Sequence, residues 1–489
     1  MCGAAGVHPA GELGSPPGRG RRTVSTSRRR LTPTPTTPST PRHHRDARDR
    51  QRPPPAPARG SRVSIVGPQR RIGRLEFTSL LAMSMALTAL GIDIMLPAFG
   101  DLRSSLGLAP DSTAVAGLVT AYFLGLAVGQ LGYGPVADRY GRRRALFVGY
   151  AIYLVGALAA TFAPSLELLW VARFVWGLGA AGGRVVTLAV VRDTYEGERM
   201  ARAMSFIMAI FILVPVVAPT LGAALNAIGG WQVTFAACAV AVVVVAIWAR
   251  RLPETLASED RLELTPRRIL AATRVVVSNR QTVGYTLAIT ALYGVFTSWI
   301  ASSEIIIIDV FGQEDRFPVL FGGLALCMGA AMVLNARIVE RVGTRRLAHL
   351  VLVGYLVAAT ALCVLAFVGD GRPPLWAFLV GMAAMLGAHA LLLPNFNTIA
   401  LQPMGAVAGT ASAVTGAVQV AVGALLGSAL DRTFDGTIRP LAVGFLVYGL
   451  LASGFVLWAE GGRLFRPLVA PVPPPVASAE AASSERPPG

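Results

Sequence analysis

Residues 134–144 read GPVADRYGRRR, and residues 340–346, in the second half of the chain, read ERVGTRR. Acid, Arg, any residue, Gly and then a basic pair recurs: Asp138, Arg139, Gly141, Arg143 and Arg144 in one copy, and Glu340, Arg341, Gly343, Arg345 and Arg346 in the other. Each copy sits between two long apolar blocks. Gly allows a tight turn where a side chain would be strained, and charges of both signs complement the ends of the flanking helices. A loop that is basic only to set topology would account for the Arg residues. It would not account for Asp138 or for the Gly spacing.

Outward from the first copy, apolar blocks fall near 78–99, 113–135, 144–163, 167–190, 204–226 and 231–249. A polar stretch, 250–282, separates them from six more near 284–307, 317–338, 347–368, 374–400, 406–430 and 440–459. Blocks of roughly 20 residues match a helix crossing about 30 Å of hydrocarbon, whereas barrel strands would be half as long and alternating. Composition agrees: of 489 residues 53% are hydrophobic and only 15% charged, against about a quarter charged in soluble domains. The fold class is therefore all-α integral membrane, twelve transmembrane helices in two pseudo-symmetric six-helix halves. The repeated loop marks the duplication, and internal repeats of this kind place substrate at the interface of the halves.

The net charge of +17 comes entirely from Arg, since the chain has no Lys. One set of loops carries Arg139 and Arg142–Arg144, Arg192, Arg199 and Arg202, then Arg250, Arg251, Arg261, Arg267, Arg268, Arg274 and Arg280, then Arg337, Arg341, Arg345 and Arg346. The alternate loops hold only Arg103, Arg316, Arg372, Arg432 and Arg439. The positive-inside rule puts the first set, and both termini, in the cytoplasm of a cell inner membrane. The expected division is 1–74 a disordered Arg/Pro-rich tail, 75–249 one half, 250–282 a linker, 283–460 the other half, and 461–489 a second disordered tail.

Residues 1–74 hold sixteen Arg against Glu12, Asp46 and Asp49, a net +13. Such a tail could suit nucleic acid or anionic lipid, but it lacks the aromatics and folded context of nucleic-acid recognition. It reads either as a disordered extension or as an overextended start, with initiation near Val63 or Val66. No apolar core precedes Arg74, so it is not a secretory signal. Cys2, Cys238, Cys327 and Cys363 form no CxxC pair and have no His at ligand spacing, and the last three read as buried packing residues. Without Lys no Walker A loop is possible, and no HExxH or nucleophile elbow is present. Neither an enzyme, a metal centre nor a cofactor is expected.

GPVADRYGRRR resembles the signature between helices 2 and 3 of the major facilitator superfamily. Within it, several stretches resemble the bicyclomycin and chloramphenicol resistance (Bcr/CflA) branch of drug:proton antiporters. They are DIMLPAFGDL from Asp93, RFVWGLGAAGG from Arg173, VVRDTY from Val190, APTLGA from Ala218 and LPETL from Leu252. LNARIVERVGTRRL from Leu334, LLLPNFNTIAL from Leu391 and AGTASAVTGAVQ from Ala408 complete the set. The resemblance covers 78–459. It implies a monomeric proton-coupled drug exporter working by alternating access, with a drug or amphiphile, protons and membrane lipid as partners and no nucleic acid. A proton symporter importing a sugar or other metabolite is the alternative. The resemblance also implies a gating role for Gly134, Asp138, Arg139, Gly141, Arg142 and Arg143.

Asp93, in helix 1, is costly amid apolar residues and should face a cavity or a partner. Burial favours its neutral form and a nearby Arg its ionised form, a competition that suits a group loaded and unloaded once per cycle. Helical rise puts Asp93 about 6 Å and Arg173 of helix 4 about 7 Å outside the midplane, so Arg173 is the natural partner. The pair is either the coupling centre, as the resemblance implies, or a fixed structural ion pair. Pro215 and Pro219 lie one turn apart in helix 5 and bend it, and Gly222 permits close helix approach. They resemble the antiporter motif of exporters, with Ala218 where Gly is common.

Arg184 lies one turn before Leu188, where the resemblance leads one to expect Arg, and its role stays open. Glu304 and Asp309 read as interfacial groups near the outer end of helix 7. His389 either carries a proton or hydrogen-bonds locally, the commoner case. Asn395 and Gln419, with Asn397, bind either ligand or another helix. Tyr122, Trp176, Tyr293, Phe296 and Trp299 are candidates for an aromatic drug pocket, each with core packing as the alternative.

Overall fold

The computed structural model describes residues 72–257, 259 and 266–465. The expectations for the two tails, for Cys2 and for 258 and 260–265 of the linker lie outside the described residues, apart from 72–74 and 461–465. Within them the chain is helical, with no strand. The helices are α1 (Arg74–Asp93), α2 (Phe99–Ser105), α3 (Gly117–Tyr140), α4 (Arg142–Thr161), α5 (Leu166–Thr194), α6 (Gly197–Ala249) and α7 (Pro266–Ser278). They continue as α8 (Arg280–Ile305), α9 (Phe317–Val342), α10 (Thr344–Val368), α11 (Leu375–Leu401), α12 (Ala408–Asp431) and α13 (Arg439–Ala459).

Among the described residues eleven runs of helix are long and apolar enough to cross a membrane, one of them the 53-residue α6. At 1.5 Å per residue α6 would reach about 80 Å, more than twice a bilayer core. It is two spans joined at Gly229 and Gly230, where the backbone leaves the helical region and Gly230 takes a φ of 75°. That resolves the eleven runs into twelve spans, at the positions read from the sequence.

Close helix approaches within the first half depend on residues without side chains. A Cβ on Gly125 would lie 1.9 Å from the Phe174 carbonyl oxygen, and one on Gly179 2.1 Å from the Tyr153 nitrogen. α5 is thereby pressed between α3 and α4, the packing that small residues permit in lipid. Of the cysteines, Cys238 is buried as expected, but Cys363 is half-buried and Cys327 is exposed on α9. A helix in lipid turns apolar residues outward as readily as inward, so apolar surroundings in sequence do not imply burial.

The halves meet at mid-depth and at the end away from the Arg-rich loops. Phe123 of α3 and Tyr293 of α8 have ring centroids 5.8 Å apart. A Cβ on Gly329 of α9 would lie 2.5 Å from Ile212 of α6, and one on Gly416 of α12 3.0 Å from Gln130 of α3. Toward the Arg-rich end, Glu198 and Arg202 of α6 and Leu334, Arg337 and Arg341 of α9 are exposed.

Candidate functional site

α1 stops at Asp93. Pro97, within the 3-10 turn Leu96–Ala98, has no N–H to extend the helix, and the chain restarts as α2 at Phe99. Stopping a helix leaves carbonyls without donors. Side chains from three neighbouring helices supply donors near this end. The Tyr153 hydroxyl donates to the Leu87 oxygen (3.1 Å), the Tyr122 hydroxyl to the Thr88 oxygen (2.9 Å), and Arg173 Nη1 to the Gly91 oxygen (2.7 Å). A guanidinium at a helix C-terminus also meets the negative end of the helix dipole.

Arg173 is completely buried, its guanidinium 4.5 Å from the Tyr122 ring centroid and 4.8 Å from that of Trp176. The expected ion pair with Asp93 is not formed. Matching depth brought the two residues to one level but did not fix which way each points around its helix. Arg173 turns to the α1 carbonyl two residues earlier. The Asp93 carboxylate is buried, with no hydrogen bond or ion pair among the described residues. Against the same turn lies Gly222 of α6, where a Cβ would come within 1.9 Å of the Ile94 oxygen. The Gly222 end of the Pro215–Pro219–Gly222 segment thus packs directly against the break in α1.

The loop motif forms a charge network. Arg142 pairs with Asp138 one turn earlier and, through Nε, with Asp193 at 2.8 Å. Glu254 accepts from the backbone N–H groups of Arg142 (2.8 Å) and Arg143 (3.2 Å), and Arg143 Nη2 donates to the Arg250 oxygen (2.8 Å). Gly141, with φ 98°, makes the corner. Gly134 has open space around it, and Arg139 is exposed with its charge over the Tyr140 ring. Asp193 and Glu254 were not singled out from the sequence, although VVRDTY and LPETL contain them.

The second copy of the motif is wired differently. Gly343 turns with φ 84°, Arg345 approaches Glu460 at 3.3 Å, and Glu460 also accepts from the Tyr285 hydroxyl at 2.7 Å. Thr344 stands where the first copy has Arg142, so the Asp–Arg pair has no counterpart there.

Several expectations for the pocket change. Tyr122 and Trp176 are fully buried around Arg173, and Trp299 packs against Phe321 and Phe378 inside the second half, so none of the three lines the space between the halves. Tyr293 and Phe296 remain half-buried at that space. Asn395 donates to Asn335 and to the Leu391 oxygen, both at 2.7 Å, and Gln419 donates to Asn397 at 3.2 Å. These amides join helix to helix. His389 is buried with neither ring nitrogen bonded, and stacks on Phe296 at 4.6 Å; the expected local hydrogen bond is absent. Glu304, near the outer end of α8, is buried and ion-paired to Arg103 across the halves, while Asp309 is exposed, 3.9 Å from Arg103.

A model of the Major Facilitator Superfamily matches residues 81–428. The chain is 27% identical over 367 residues to a bicyclomycin resistance protein homolog of Haemophilus influenzae, covering 75% of this chain and 91% of that protein. It is 27% identical over 387 residues to a chloramphenicol resistance protein of Pseudomonas aeruginosa, covering 77% of this chain and 88% of that one. Among solved structures, a D-xylose-proton symporter aligns with a TM-score of 0.61 at 15% identity, over 80% of this chain and 99% of its own. At that identity the last likeness bears on the fold alone.

Proposed function

The chain belongs to the Major Facilitator Superfamily, and we propose that this membrane transporter, which is not an enzyme, exports a hydrophobic or amphiphilic drug in exchange for protons by alternating access. Asp93 carries the reading. It is a buried carboxylate without a partner among the described residues, at the point where α1 is interrupted and where Gly222 of the α6 proline segment packs. An intramembrane acid that no fixed charge neutralises is suited to gain and lose a proton, and a helix break gives that gain or loss a way to move the adjoining backbone. The relatives named for resistance to bicyclomycin and chloramphenicol support export over import. Metabolite symport uses the same fold, but no residue placement here favours it.

In this reading the Arg-rich end faces the cytoplasm of a cell inner membrane, with both termini on that side. The network of Asp138, Arg142, Asp193 and Glu254 is the cytoplasmic gate element. Arg173 positions the end of α1 rather than ion-pairing with Asp93. One chain suffices for transport, since the substrate path runs between its own halves.

The test is proton release from inverted vesicles, acidified inside, on adding a panel of antimicrobials. Wild type should release protons with at least one drug, and Asp93→Asn vesicles of matched expression should not. Equal release by both removes Asp93 as the coupling carboxylate. No release with any drug shifts the reading to metabolite transport.

A further inference from the structure

Arg184 is a second intramembrane cation, and the site described above does not use it. It lies four residues past the middle of α5, about 6 Å toward the Arg-rich end at 1.5 Å per residue. Its direction follows from its neighbours. Gly179 and Gly182 face α4, where a Cβ on each would meet the Tyr153 nitrogen at 2.1 Å and the Gly149 Cα at 2.9 Å. Gly183 faces α1 at the Ser84 oxygen, and Ala181 faces Gly129 of α3. At 3.6 residues per turn Arg184 points between α1 and α3, directly away from α4 and toward the other half. Tyr293 of α8 lies within reach of its charge.

Arg184 is half-buried and has neither an ion pair nor a hydrogen bond among the described residues. Arg173, by contrast, is stacked, bonded and sealed. A guanidinium in the middle of a membrane bundle with five donors unused is expensive unless something arrives to use them. Beside it runs a ladder of rings that crosses the halves: Phe123 to Tyr293 at 5.8 Å, Tyr293 to Phe296 at 5.9 Å, and Phe296 to His389 at 4.6 Å. Tyr293 and Phe296 are the half-buried members.

We propose that Arg184 and the Tyr293–Phe296 wall form a binding site for an aromatic organic anion, the carboxylate or equivalent group held by the guanidinium and the ring system lying against the two aromatic side chains. Arg pairs with carboxylate through two parallel hydrogen bonds, which gives the site directional selectivity as well as charge. A neutral compound of the same shape would keep the ring contacts and lose the fork. A cation would be repelled. The proposal deepens the export reading by naming a substrate class, and it rests on that reading only for the use of the space between the halves.

The experiment uses the full chain in nanodiscs of zwitterionic lipid, with 2-naphthoate, 2-naphthamide and 2-naphthylmethylammonium as probes and binding read by calorimetry. Naphthoate should bind wild type at least ten-fold more tightly than the amide, with the ammonium weakest. Arg184→Gln should erase the preference, and Arg184→Lys should keep part of it, because charge survives and the fork does not. Arg192→Gln, on the exposed last turn of the same helix, should leave it unchanged. Equal binding of the three probes, no binding of naphthoate at millimolar concentration, or a preference that survives in Arg184→Gln overturns the proposal. Proton release driven by neutral or cationic drugs, without any carboxylate preference, would sink this inference and leave proton-coupled export standing.

Discussion

Arg103 Nη2 lies 2.8 Å and 3.0 Å from the two carboxylate oxygens of Glu304, joining α2 of the first half to α8 of the second. Both side chains are buried, so each has exchanged its water for the other. Every ion pair between the halves among the described residues runs through Arg103. If the halves rock to open this end, the pair must part. It therefore stabilises the arrangement closed at this end over its opposite.

Glu304→Gln and Arg103→Gln should each shift the population toward opening at this end. Removing one partner of a buried pair costs about 3–5 kcal/mol, and much of that is regained when the remaining charge reaches water. An increase of about ten-fold or more in the opposite state is expected. Spin labels at Ser104 and Glu314, on a chain whose own cysteines are replaced, should report longer distances. Unchanged distances in both variants would make the pair purely structural.

Gly222 should tolerate not even a methyl group. A Cβ there would meet the Ile94 oxygen at 1.9 Å, and backbone cannot swing aside as a side chain does. Overpacking of ordinary side-chain contacts costs about 1–3 kcal/mol, and this contact is with main chain. Gly222→Ala should lower thermal stability and abolish drug-driven proton release by displacing the turn that bears Asp93. Gly132→Ala, with open space around its Cβ, is the matched control and should change neither.

Glu254 acts as a cap supplied from a distance. Its carboxylate takes the first N–H groups of α4 at Arg142 and Arg143, as a capping side chain ordinarily would. Glu254→Ala should destabilise the chain by about 0.5–2 kcal/mol, seen as a lower thermal midpoint. Glu254→Gln keeps one acceptor oxygen and should lose less. Equal midpoints for all three chains would show that the cap is dispensable.

The spans, the break inside α6 and the paired Gly corners were legible because each rests on local sequence. Twenty apolar residues, a gap between two such blocks and a basic loop carry their meaning wherever the chain goes. Partnerships were not legible in the same way. Asp93 and Arg173 agree in depth, but depth says nothing about direction around a helix. Arg103 and Glu304 come from different halves and meet only through the packing of the whole bundle. Tyr122 and Trp176 looked like pocket residues because aromatic rings suit both a pocket and a buried cation, and only the placement of Arg173 decides between them.

Arg173 separates a charge requirement from a shape requirement. Lys in its place would keep the cation near the end of α1 but lose the planar group lying over Tyr122 and Trp176, and with it the fixed direction of the bond to the Gly91 oxygen. Those contacts together are worth about 2–4 kcal/mol, from ring contacts and a charge-assisted hydrogen bond. Arg173→Lys should therefore fold with a lower thermal midpoint and a displaced Asp93. If Arg173 positions the helix end, drug binding and proton release should weaken together, with protons released per drug exported unchanged. If it exchanges ion pairs with Asp93 in another state of the cycle, drug binding should survive while proton release falls. Measuring both on the same reconstituted variant distinguishes the two roles, and the absence of an Asp93–Arg173 pair in this structure favours the first.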